Sequence, residues 1–279
     1  MLRFTFLSLL LISPLALPAE PATVKPRSLQ LLYLEGSPRW EYRSHRLLFE
    51  RKTDEKIKPF AYRVMMQNAD PEYLRQEKRA IDEMPVRAEL DHFDLVILGD
   101  VDPRDKRLGK EHEENLARFV REGGGALLVI AGSHHMPHAW KKTALADVLP
   151  IELGMPPNKE RANAERKESY RPMLTEAGMK HPAFRFEMDM EASSKAWADL
   201  PPLFWYAEGY TARKDAEVLA VHPTAKEKDV PLPLIVWHKV GKGRCAFIGF
   251  DESWRWKAND GDRHYQTFWT TLWRYLAAP

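Results

Sequence analysis

The strongest constraint on this chain is a recurrence: short, mostly apolar runs, each stopped by a glycine or an acid and each followed by a segment of helical period. Leu29 to Leu34 (LQLLYL) stops at Glu35-Gly36, and Asp94 to Leu98 (DLVIL) stops at Gly99-Asp100-Val101-Asp102-Pro103. Ala126 to Ile130 (ALLVI) stops at Ala131-Gly132. A strand that is apolar at nearly every position is buried on both faces, as in a parallel sheet covered by helices. Between these runs, Pro38 stands in the first turn of an expected helix over 38–51 that carries Trp40, Leu47 and Leu48 on one face. Phe60 to Met66 alternates as a second strand, 71–83 reads as a charged, solvated helix, and 110–122 turns Leu116, Phe119 and Val120 inward before Gly123-Gly124-Gly125 ends it. Single helices between strands imply right-handed crossovers and helices on both faces. The expected fold class is α/β, with a doubly wound, mostly parallel sheet.

The second half adds an antiparallel elaboration. Ala216 to Val221, Leu234 to Val240 and Arg244 to Phe250 read as strands, the last two joined by the hairpin signal Gly241-Lys242-Gly243. Residues 156–168 are polar and charged, a surface segment. Asp262 opens a terminal helix with Tyr265, Phe268, Trp269, Leu272, Trp273 and Leu276 on a broad apolar face. Residues 29–279 contain neither a linker nor a repeat, so one domain is expected there. Ahead of it, residues 1–19 (MLRFTFLSLLLISPLALPA) have the basic start and short apolar run of a secretory signal peptide, and 20–28 (EPATVKPRS) read as a linker. The mature chain is expected to be exported, periplasmic or secreted, the alternative being an uncleaved N-terminal anchor. No later run approaches the ~18 apolar residues of a membrane span. Charge narrows the partners: 42 Lys+Arg face 40 Asp+Glu, and removing 1–19 takes away only Arg3, leaving 41 against 40. That balance argues against a basic face for nucleic acid. The single cysteine, Cys245, rules out an intramolecular disulfide and a Cys-rich zinc or iron–sulfur site.

In open parallel sheets ligands bind beyond the carboxyl ends of the strands. Those ends supply Glu35, Asp100, Asp102, Ser133, His134, His135, Asp251 and Glu252. The helix start after the first strand adds Arg39, Trp40, Glu41 and Arg43, and the last segment adds Trp254, Arg255 and Trp256. These are the candidate ligand- or partner-binding residues, with Trp254 and Trp256 equally able to cover the sheet edge.

The motifs YLEGSPRWEYR, FDLVILGDVDP, FVREGGGALLVIAG and GKGRCAFIGFDESWRWK, in that order, resemble the class I glutamine amidotransferase-like domains, in particular their exported bacterial branch. The resemblance spans roughly residues 29–276 and implies a flavodoxin-like sheet. It also implies a Cys-His-Glu triad, which this chain lacks. His134 stands where the nucleophile would be, with Met136 at a glycine position. Asp251 stands at the His position, Ser253 lies near the Glu position, and Cys245 falls mid-strand. Acids in the segment 99–103 would repel a developing oxyanion.

Two replacement chemistries are open to the residues present. Ser133 beside His134 and His135 would need a base folded onto the hydroxyl, and the GxSxG signature is absent. His134, His135 and His138, with Asp100, Asp102 and Asp251, have the donor types of a zinc-like site, although Pro137 interrupts helical spacing. No cofactor is expected. The expected function is a catalytically inactive amidotransferase-like module of the cell envelope, binding a protein or small ligand at the old active-site cleft. By resemblance, the partner would be an envelope protein. The alternative is an exported hydrolase, carbohydrate-related or metal-assisted, with a rebuilt His/Asp site.

Overall fold

Strand β1 (Leu29–Glu35) lies between β2 (Phe60–Met66) and β3 (Leu95–Leu98), and β3 is followed in space by β4 (Ala126–Ile130), all four parallel. The protein is seen here in a computed structural model that describes residues 28–51, 60–109, 111–157, 168–258 and 260–278. Beyond β4 the sheet is completed from the far end of the sequence. Two short strands, β5 (Ile151–Leu153) and β7 (Tyr210–Ala212), pair separately, while β6 (Met173–Leu174), β8 (Glu217–Glu227), β9 (Val230–Val240) and β10 (Gly243–Ile248) join the main sheet. The order is β2-β1-β3-β4-β10-β9-β8-β6, with β10 parallel to β4 and the remaining pairs antiparallel. The molecule is therefore a mixed α/β fold built on one eight-stranded, mostly parallel sheet. Every residue of β3 and β4 is buried, which is why these strands read as unbroken apolar runs.

Seven α-helices fall within the described residues: α1 (Trp40–Glu50), α2 (Pro71–Gln76), α3 (Arg87–Leu90), α4 (His112–Arg121), α5 (Glu176–Lys180), α6 (Met190–Ala198) and α7 (Arg263–Leu276). Helices α1 and α7 meet through rings, His45 lying 4.2 Å from Trp269 and Phe49 4.9 Å from Trp273. Trp269 and Trp273 are fully buried, as their helical spacing predicts. Cys245 sits mid-strand opposite Leu127, and burial pushes its thiol up, so it is no elbow nucleophile.

Several expectations are corrected. The helix expected over 71–83 ends at Gln76, because Arg79 and Ile81 instead hydrogen-bond Val64 along the outer edge of β2. A free edge strand leaves a row of unpaired backbone groups, and this segment satisfies some of them. Trp40 and Leu47 do not face the core. They are 62% and 60% exposed, and α1 buries Glu41, Tyr42, Ser44, His45, Leu48 and Phe49 instead. Asp262 does not cap α7 through its side chain, since its carboxylate bonds Arg51 at 2.8 Å. The expected leader (1–19), the expected linker apart from Ser28, and most of the polar segment 156–168 lie outside the described residues. Among the described residues no helix is long and apolar enough to cross a membrane.

Candidate functional site

The parallel strands all end on the same side, and their first residues beyond the sheet form two polar groupings. The first centres on Arg39, one residue ahead of α1. Its guanidinium bonds both oxygens of Glu35 (3.2 and 3.0 Å), the carbonyl of Ala131 (2.8 Å) and Oδ2 of Asp251 (3.0 Å). Glu35 is fully buried, and its Oε1 also accepts the backbone N–H groups of Gly36 and Asp100 at 2.8 and 3.0 Å. Arg39 thus ties the ends of β1, β4 and β10 together. A Cβ at Gly99 would stand 2.4 Å from the Glu35 carboxylate, so only glycine lets β3 pass this group. Burial pushes the Asp251 carboxyl up to about 6 against the opposing pull of Arg39.

The second grouping is the turn after β4. Asp100, 3% exposed, reaches across from the end of β3 and accepts the backbone N–H groups of His134 (3.0 Å), His135 (2.7 Å) and Met136 (2.8 Å). Its Oδ2 also meets Nδ1 of His134 at 3.1 Å. Burial works against this charge, but Arg39 and the three N–H groups outweigh it and hold the carboxyl below its ordinary value. Successive backbone N–H groups in a turn form an anion-binding nest, and here the anion is a side chain of the protein itself. Gly132 is needed beneath it, since a Cβ there would stand 2.2 Å from the Asp100 carboxyl carbon.

Alongside this turn lies a cleft of about 450 Å³. His134, His135, His138, Pro156, Pro157, Trp205, Tyr206 and Glu208 are among its walls. His138 is fixed by its Nε2 on the Glu208 carbonyl at 2.7 Å. Trp205 is held from behind, because Glu252 accepts the backbone N–H groups of Phe204 (2.5 Å) and Trp205 (2.7 Å) while its other oxygen takes Arg255 at 3.1 Å. The Arg255 guanidinium lies over both Phe204 (4.6 Å) and Trp254 (4.7 Å). Trp254 meets Trp40 at 5.8 Å, and Arg43 covers the Trp40 ring at 5.3 Å while its Nε bonds the Pro38 carbonyl.

Of the residues expected to form the site, Glu35, Arg39, Asp100, His134 and Asp251 come together, and Ser133 and His135 join them at the cleft. Three do not. Ser253 is fully buried, donating to the Glu41 carboxylate and accepting from Trp269 Nε1 at 2.8 Å. Glu41 is buried with it and also lies 3.3 Å from His45 Nε2, so this pair belongs to the α1–α7 packing. Trp256 is core as well, against Trp197 (5.2 Å) and Phe268 (5.5 Å). The physical reason is that residues 253–258 form a tight 3₁₀ turn, whose period of three sends positions 253 and 256 to the same inner side. Asp102 has both oxygens on Arg104 at the surface (2.9 Å each), which lowers its carboxyl to about 2. The three histidines do not form a metal cluster: no group of three metal-ligating side chains occurs among the described residues. Sequence reasoning missed Trp205, Tyr206, Glu208, Pro156 and Pro157. The run Phe204-Trp205-Tyr206 was a visible signal, since three consecutive rings outside a strand or helix cannot all face one core.

No protein-family model matches this chain, and neither does any curated protein. Among solved structures it is similar to the cytoplasmic protein STM1381 of Salmonella typhimurium LT2, with 17% identity and a TM-score of 0.57 over 89% of this chain and 99% of that one. The cytoplasmic protein STM3548 of Salmonella typhimurium gives 17% identity and a TM-score of 0.56 over the same shares. An exo-β-1,4-mannosidase from Opitutaceae bacterium strain TAV5 aligns less well, at 14% identity and a TM-score of 0.44 over 36% of its length. At these identities the likeness to the two Salmonella proteins concerns the fold alone.

Proposed function

We propose that this protein is a class I amidotransferase-like module that has given up glutamine hydrolysis and binds a small ligand in the cleft beside residues 132–138. The single observation carrying this reading is the filled nest: Asp100 occupies the backbone N–H groups of His134, His135 and Met136. Those donors face an internal carboxylate, so they are not offered to an oxyanion, which an acyl-transfer site needs. The absence of a cysteine from the turn and the burial of Ser253 and Cys245 support the same reading. The order β2-β1-β3-β4-β10, with the direction of connection reversing between β1 and β3, supports the doubly wound, flavodoxin-like class, and Glu35 and Asp100 sit at that reversal.

The cleft keeps the features of a small-molecule site, with apolar walls from Pro156, Pro157, Trp205 and Tyr206 and a few imidazole edges. Incubation with glutamine and assay of released glutamate is expected to show no turnover. Glutamate release that is lost in His134→Ala would overturn the reading. A thermal-shift screen of small uncharged aromatic and polyol compounds should give stabilising hits that Trp205→Ala removes. For location, we propose export, on the leader-like residues 1–19 alone. Both Salmonella proteins are described as cytoplasmic and lend this no support. An alkaline phosphatase fused after residue 28 should be active, and an inactive fusion would exclude export.

A further inference from the structure

We infer that the cleft selects flat ring compounds carrying an N–H or O–H donor, and that Nε2 of His134 is the atom that accepts from them. The inference rests on the cleft being the ligand site and adds what a ligand has to present there. Nδ1 of His134 lies 3.1 Å from Asp100 Oδ2, and the same carboxylate holds the His134 backbone N–H at 3.0 Å, so ring and main chain are fixed together. A carboxylate only accepts, so in the neutral imidazole Nδ1 carries the proton and Nε2 keeps its lone pair. Nε2 has no hydrogen-bond partner among the described residues, the ring forms part of the cleft wall, and the side chain is 69% exposed. A second imidazole is held in the same sense. His138 spends its Nε2–H on the Glu208 carbonyl at 2.7 Å, and burial holds that ring below the ordinary histidine value, so it stays neutral with no donor left to offer.

The main chain around the cleft points the same way. Asp100 takes the N–H groups of His134, His135 and Met136, and Glu252 takes that of Trp205. The carbonyls of Met136 and Gly249 take those of Gly132 and Ala207, at 3.0 and 2.8 Å. Pro137, Pro156 and Pro157 have none. Ser133 and His135 do not set the preference, because a hydroxyl that rotates and a ring free to change tautomer can each turn either a donor or an acceptor to a ligand. His134 does, because Asp100 fixes its tautomer. A ligand whose edge carries only lone pairs, such as a carboxylate or an ether oxygen, would set lone pair against lone pair at Nε2 and find few N–H groups elsewhere. The rings of Trp205, Tyr206 and the prolines suit the faces of a flat ring and leave its edge to be read by His134.

The test compares indole with benzofuran, two bicyclic rings of the same shape in which the N–H of the first is an ether oxygen in the second. Titration calorimetry at about pH 8, where an ordinary imidazole is neutral, should show the wild type binding indole about fivefold tighter than benzofuran, the scale of one exposed hydrogen bond. His134→Ala should bring the two affinities together, and it should fold as the wild type does, since the side chain is exposed and the backbone N–H bond to Asp100 remains. Trp205→Leu should weaken both rings alike. Nitrogen NMR should show the Nδ1–H tautomer of His134, with the Nε2 signal moving on addition of indole and not of benzofuran. Equal or tighter binding of benzofuran, an indole preference that survives His134→Ala, or the Nε2–H tautomer would each overturn the inference, as would failure of the wild type to bind either ring. In each case Trp205-dependent hits in the thermal-shift screen would leave the cleft reading standing, and their absence would sink it as well.

Discussion

Two polar groupings sit side by side at the carboxyl ends of one sheet, and they differ in how completely their hydrogen-bonding capacity is used. Around Arg39 the guanidinium meets two carboxylates and a carbonyl within 3.2 Å, and Glu35 accepts from two backbone N–H groups as well. Around the cleft, Asp100 satisfies the backbone of the turn but leaves one edge of His134 without a hydrogen-bond partner among the described residues, beside a cleft that Trp205 and Tyr206 also line. A saturated buried network fixes geometry, because removing any member leaves another charge unpaired in a low-dielectric setting. An unsaturated edge beside an apolar wall is what a ligand can complete. The lesson is that charge density at a strand end does not mark the binding site; unused bonding capacity does.

That contrast can be broken in four ways. Arg39→Met should have the largest effect on stability, about 3–5 kcal/mol, because it leaves buried Glu35 and partly buried Asp251 without their cation. Urea unfolding measures this, and a loss below about 1 kcal/mol would show that the network is not what joins the strand ends. Asp100→Ala should follow at about 3 kcal/mol, since it frees three backbone N–H groups at once, that of Met136 buried.

The third concerns pH. Asp251 titrates at about 6 when folded, above the ~3.9 of an unfolded aspartate, so the unfolded state gives up its proton first. Its contribution is therefore fully present below about pH 4 and lost as pH rises through about 6, about 3 kcal/mol in all. Asp100 has the opposite sign, its folded value being lowered, so its contribution is lost only as pH falls through that lowered value. Thermal unfolding between pH 4 and 7 should show the Asp251 decline, and Asp251→Asn should flatten it. An unchanged slope in that variant would assign the decline elsewhere. Trp205→Leu should have the smallest effect on folding, about 1 kcal/mol or less, because the ring is only half-buried and Glu252 grips the backbone, not the side chain. Its ligand response should fall at least tenfold, and a folding defect larger than that of Asp100→Ala would reverse the comparison.

Legibility in the sequence followed burial. The runs at 29–34, 94–98 and 126–130 are strands within a residue of their expected ends, and 60–66 agrees throughout. The hairpin at Gly241 is present, with that glycine in the left-handed region at φ 60°. Late strands were underestimated: β8 runs on to Glu227 and β9 begins at Val230, because one exposed ribbon end carries charged residues that look like loop. At the site, Glu35, Asp100 and Asp251 were legible because strand ends follow from strands, and Arg39 because the helix after the first strand starts there. The roles of Ser253 and Trp256 were not, since their direction depends on a 3₁₀ turn with no apolar period of its own. Trp205 was not either: its place in the cleft depends on Glu252, which lies 47 residues later in the chain.

The sequence by itself determined the parallel sheet, the positions of its carboxyl ends, and the absence of a cysteine from the turn after β4. These are local statements, written in apolar periodicity and in the identity of single residues. Only the tertiary structure decided that Asp100 fills the nest from another strand, that Arg39 faces inward while Trp40 faces out, and that Phe204-Trp205-Tyr206 walls the cleft. Those outcomes depend on hydrogen bonds between residues tens of positions apart. A carboxylate carries the same letter in the sequence whether it meets water, a guanidinium or three backbone N–H groups, and only packing selects among them.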